Sequence, residues 1–109
     1  MKHLLLVALL LPIAAHADEY MLTIRDHKFQ PAELAIPSGA RIKLKVENQD
    51  GIPVEFESTD LSREVIVPGQ GQVTIYIGPL SQGSYRYFND FNRDMQGVIV
   101  AKPAVGKEN

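Results

Sequence analysis

Downstream of about residue 18, apolar and polar side chains alternate with a period of two. Leu22 and Ile24 alternate in the first run; Ile42, Leu44 and Val46 alternate against Arg41, Lys43, Lys45 and Glu47; Val73, Ile75 and Ile77 alternate against Thr74 and Tyr76. A two-residue period sends successive side chains to opposite faces of a strand, so each run has one core face and one solvent face. The same reasoning predicts strands over 54–58, 64–67, 84–88 and 97–101. Pro37-Ser38-Gly39, Asp50-Gly51, Pro68-Gly69 and Gln82-Gly83 separate them as turns. Seven or eight short strands at this spacing predict an all-β sandwich.

The first seventeen residues break the pattern. Lys2 precedes an apolar run from Leu4 to Leu11, followed by Ala15-His16-Ala17, which predicts a signal peptide cleaved near Ala17/Asp18. That run is shorter than the roughly 20 apolar residues of a membrane span, and no later stretch approaches that length. The expectation is an exported, periplasmic chain that does not itself span a membrane. Its domain would cover 18–102, with a short polar tail over 103–109. Ninety-two residues then remain, enough for one domain. Residues 1–17 carry one cation and no acid, so removing them moves the formal net charge from −2 to −3. With charges of both signs interspersed, nothing predicts a nucleic-acid partner. The absence of Cys excludes disulfide staples and thiolate chemistry.

Few residues remain to carry chemistry. Beyond residue 17 the chain holds one His, His27, and two Met, Met21 and Met95. No Gly-x-Ser-x-Gly elbow accompanies His27, which argues against a hydrolase. Gly69-Gln70-Gly71 lacks the next glycine and the helix of a phosphate-binding loop, and reads as a turn. No catalytic set is predicted, and Met21 reads as packing.

An ordered series of segments carries a family resemblance: Phe29-Gln30-Pro31-Ala32-Glu33, Pro37-Ser38-Gly39, Val46-Glu47-Asn48, Pro53-Val54-Glu55-Phe56, Val67-Pro68-Gly69, Gly83-Ser84-Tyr85-Arg86-Tyr87 and Met95-Gln96-Gly97-Val98. Together they resemble a cupredoxin over nearly the whole exported chain, which implies a Greek-key β-sandwich. In blue-copper members of that family the metal is held by two His, one Cys and one Met. The resemblance places Val54 and Asn92 where the two His would stand and Asn89 where the Cys would stand, with only Met95 kept. These vacated positions imply that no type 1 copper centre forms.

Val54 and Phe56 should point inward and Glu55 and Glu57 outward. An exposed strand face is reason enough for two acids, but the stretch from Glu55 to Glu64 also resembles the acid-rich segment of single-domain periplasmic cupredoxin-like proteins that accompany bacterial high-affinity iron permeases of the ferrous-uptake type. That likeness implies a metal-binding accessory of iron uptake, holding an iron or copper ion. It further implies a part in ferrous iron oxidation or in delivery to an inner-membrane iron permease, with that permease and other periplasmic iron-uptake proteins as partners. The candidate ligands are His27, Glu55, Glu57, Asp90 and Met95. His27 enters because the 26–31 loop is expected at the metal-bearing end; otherwise it is a surface residue. Carboxylates with imidazole suit iron, and His with Met suits copper. A periplasmic copper chaperone or buffer, and a metal-free interaction module on the same scaffold, are the competing readings.

Overall fold

A computed structural model describes residues 17–104. The predicted signal segment, except Ala17, and the end of the predicted tail lie outside the described residues. Nine strands, and no helix among the described residues, follow in order: β1 (Asp18–Arg25), β2 (Lys28–Gln30), β3 (Glu33–Pro37), β4 (Ile42–Asn48), β5 (Val54–Ser58), β6 (Arg63–Val67), β7 (Gln72–Ile77), β8 (Gly83–Asn89) and β9 (Asn92–Lys102). They form a four-stranded sheet, β2-β1-β4-β7, facing a five-stranded sheet, β3-β9-β8-β5-β6. The all-β sandwich is thus as expected, with nine strands rather than seven or eight. The two strands beyond the seven named runs are Lys28–Gln30, a three-residue strand inside the expected 26–31 loop that buries only Phe29, and Glu33–Pro37, which buries Leu34 and Ile36.

Alternation sets the core. In β4 every second residue is buried, from Ile42 through Leu44 and Val46 to Asn48. Parallel pairing of β1 with β4 puts Leu22 beside Val46 and Ile24 beside Asn48. In the facing sheet Val54 and Phe56 point inward as expected, together with Val67, Tyr87, Ile99 and Ala101. Met21 is a correction: it is 44% exposed, because its parity places it on the outer face with Glu19 and Thr23.

Two features join the sheets. Phe29 of one sheet meets Phe56 and Tyr87 of the other edge-on, at centroid distances of 6.3 and 4.9 Å, and Phe56 stacks on Tyr87 at 4.9 Å. Each such pair contributes about 0.5–1.5 kcal/mol beyond burial. At one end, buried Asn48 donates its amide to the carbonyls of Ile52 (2.8 Å) and Val67 (3.4 Å) and accepts from the Asp50 N–H (3.0 Å). The Asp50 carboxylate in turn accepts from the N–H groups of Asp26 and His27, at 3.0 and 2.9 Å. Those two residues have φ of 53° and 57°, the left-handed conformation of a two-residue hairpin turn, so Asp50 satisfies the backbone of a tight bend.

Tyr87 lies across Gly97 on the neighbouring strand, where a Cβ would run into the phenol ring. Its hydroxyl is buried without a hydrogen-bond partner among the described residues, and burial pushes the phenol above its ordinary 10.0. An unpaired buried hydroxyl costs about 1–3 kcal/mol. Tyr87→Phe is therefore expected to leave stability unchanged or raise it by about 1 kcal/mol, a gain of about 4–8 °C in Tm. Gly97→Ala is expected to lower stability by about 1–3 kcal/mol through overpacking. Thermal unfolding of both variants checks this, and a Tm loss in Tyr87→Phe would show that the hydroxyl is satisfied.

Candidate metal centre

β5 and the β8–β9 turn build the site. Glu55 and Glu57 stand on the outer face of β5, one residue out of phase with buried Val54 and Phe56. Asp90 begins the two-residue turn Asp90-Phe91, and its N–H donates to the Glu55 carbonyl at 2.9 Å. One carboxylate oxygen from each of Glu55, Glu57 and Asp90 lies within 4.8 Å of the others, and all three residues are half-buried. Two oxygens bound to one first-row ion at about 2.0–2.2 Å can be at most about 4.4 Å apart, so small side-chain rotations would bring the trio around an ion. Glu64 stands directly across from Glu57 in the β5–β6 register, adding a fourth acid to the face.

The electrostatics follow from this crowding. Partial burial, followed by the hydrogen bond shared with Asp90, raises Glu55 above its ordinary 4.5. Glu57 is raised by partial burial and then by the Asp90 charge. Asp90 is lowered, first by its hydrogen bond with Arg93. The Arg93 guanidinium donates twice to Asp90 Oδ1, from Nε at 3.0 Å and Nη2 at 2.8 Å.

The segment between the predicted strands 84–88 and 97–101 is a tight hairpin. β8 runs to Asn89 and β9 starts at Asn92. The register slips between Phe88, opposite Gln96, and Asn89, opposite Asn92, leaving Arg93, Asp94 and Met95 as a bulge. The bulge turns Met95 inward, where it is buried and its sulfur accepts from Asn89 Nδ2 at 3.7 Å. Asn89 Oδ1 accepts from the N–H groups of Glu55 (3.0 Å) and Phe91 (3.1 Å). Of the three vacated positions, Val54 and Asn89 are buried as packing and backbone ties, and Asn92 is exposed.

The structure thus gathers three of the five candidate ligands, Glu55, Glu57 and Asp90. Met95 points to the opposite, inner side of the sheet, because the pleat and the bulge set its parity against theirs. His27 is outside the trio: it is exposed in the β1–β2 turn of the other sheet, its backbone held by Asp50. Arg93 was missed, although a cation three residues after Asp90 in a turn is a readable signal. The bracing role of Asn89 had no local signal, since Glu55 is 34 residues away.

The family profile described as Cupredoxin-like domain matches residues 3–101. The chain belongs to the cupredoxin-like domain family. An uncharacterized protein of Rickettsia prowazekii (strain Madrid E) is 42% identical over 83 residues, 75% of this chain and 66% of that protein; the chain thus spans just under two thirds of that relative's length. Among solved structures, auracyanin A, a blue copper protein of Chloroflexus aurantiacus, superposes with a TM-score of 0.66 at 13% identity, covering 80% of this chain and all (100%) of that one. Amicyanin of Paracoccus versutus gives 0.61 at 18% identity, covering 84% and 86%. A purple cupredoxin of Nitrosopumilus maritimus gives 0.58 at 16%, covering 75% and 98%. At these identities the likeness is one of fold. This cupredoxin-like domain has no Cys in its sequence, so no type 1 site can form.

Glu55 links site and stability through pH. Its native pKa is raised, so its contribution to stability is complete below 4.5 and is lost as pH rises through the raised native value. Glu55→Gln is expected to raise Tm at pH 7 and to leave it near wild type at pH 4, measured without metal. An equal shift at both pH values would show that Glu55 is not strained by its neighbours.

Proposed function

We propose that this cupredoxin-like domain is a periplasmic metal-binding accessory protein of iron uptake, carrying a hard first-row ion on Glu55, Glu57 and Asp90 on its way to an inner-membrane iron permease. The carboxylate trio supports this reading most. Like charges directly opposed on neighbouring strands are destabilising, and Glu57 faces Glu64 while Glu55 and Asp90 crowd the same face. A divalent cation would turn that repulsion into coordination. The ligands are all oxygens, which favours iron over copper, because a His and thioether pair is not assembled here. Export is supported by the signal-like first seventeen residues, and no helix among the described residues is long and apolar enough to cross a membrane. The role is one of binding; a part in ferrous iron oxidation would use the same ion.

The test is calorimetric titration of residues 18–109 with iron(II) under anaerobic conditions, with manganese(II) as a redox-stable substitute, and with copper(II). One site is expected for iron and manganese. At 100 times Kd it should add about 2.7 kcal/mol of stability, and Glu55→Gln/Glu57→Gln should abolish it. No heat and no Tm shift with any of the three ions would leave an interaction module, while tight copper binding that survives the double substitution would favour a copper chaperone. A strain lacking the gene is expected to show impaired uptake of ferrous iron.

A further inference from the structure

A groove of 610 Å³ opens on the outer face of the five-stranded sheet beside the trio, within the size range of small-ligand sites. Arg86, Phe88, Gln96 and Val98 form its floor, and Thr59 and Asp60 of the β5–β6 turn form one wall. The register makes it continuous with the carboxylates: Phe88 is paired with Glu57 on one side and Gln96 on the other. Arg86 lies two residues further along the same face of β8, roughly 7 Å away.

The groove holds one acid, Asp60, and one guanidinium, that of Arg86, and the two charges are not paired with each other. The Asp60 carboxylate is taken by the Arg86 N–H at 2.8 Å, and the Arg86 guanidinium makes no ion pair among the described residues. The guanidinium of Arg93, 5.4 Å over the Phe88 ring, is already bonded to Asp90, which leaves Arg86 as the cation of the groove. Three carboxylates fill only part of the coordination sphere of a hard ion, which favours further oxygen ligands. Beside them stands an unpaired guanidinium, whose planar donors match a carboxylate.

We propose that the groove seats a small organic polycarboxylate. One carboxylate completes the sphere of the ion on Glu55, Glu57 and Asp90, and another is held by Arg86. The cargo is then a metal–carboxylate complex rather than a bare ion. This rests on the metal reading of the trio, but Arg86 belongs to the groove alone.

The test is equilibrium dialysis of residues 18–109 with labelled citrate as the probe, with and without one equivalent of manganese(II), alongside manganese(II) alone. Wild type is expected to retain citrate one-to-one with the ion. Arg86→Gln should weaken that retention about tenfold or more, the scale of a lost hydrogen bond to a charged group, while binding manganese alone as wild type does. Arg86→Lys should recover part of the loss, and Glu55→Gln/Glu57→Gln should lose both ion and citrate. Retention of manganese without citrate, or citrate retention indifferent to Arg86→Gln, overturns the groove and leaves the metal site standing. Failure to retain manganese at all overturns the metal site and the groove with it.

Discussion

The carboxamide of Asn89 holds the functional end of this molecule together. One oxygen accepts from the backbone of Glu55 and of Phe91, so a single buried group fixes the hairpin turn against β5. The amide nitrogen faces the Met95 sulfur, which closes the inner side of the same turn. Without this bridge, the turn would be held to β5 only by the backbone bond from Asp90 to Glu55 and the short pairing of Asn89 and Phe88 with Phe56 and Glu57. Asp90 would then have no fixed place beside Glu55 and Glu57. The position that the family resemblance gives to a thiolate is here a structural brace, and on the metal reading proposed above the chemistry moves from the inner to the outer face.

That transfer depends on the pleat of β5. Phe56 is fully buried against Phe29 and Tyr87, which locks the parity of the strand. A slip of one residue would drive two acids into the core and an aromatic ring into water. The aromatic cluster that joins the sheets therefore also keeps the carboxylates on the surface. The outer face of the other sheet is charged differently: Glu19 bridges Lys43 and Lys45 at 3.7 and 3.1 Å, so the acid there is flanked by two cations.

Where alternation is clean, the sequence shows the architecture. The inward sets of β4, β5 and β7 and the outward pair Glu55 and Glu57 follow from parity alone. Met21 was equally readable, since the alternation that buries Leu22 and Ile24 turns it outward. Long-range closure hides the rest. Lys28–Gln30 is too short to show a period, and the apolar run 98–101 masks the parity of β9. The bulge that inverts Met95 depends on the hairpin register, and the hydrogen bonds that set the His27 turn come from a carboxylate 23 residues away. Composition and motif supplied the family; the grouping of Glu55, Glu57 and Asp90 without His27 or Met95 required the fold.

Arg93 gives the acidic face a tethered counter-ion. Its guanidinium already occupies one oxygen of Asp90, and it is largely solvated, at 74% exposure. An ion arriving at that oxygen takes part in an exchange, displacing a cation that stays attached and ready to return. On the metal reading proposed above, such a face would favour brief occupancy and easy release over retention, the behaviour of a relay and not of a store.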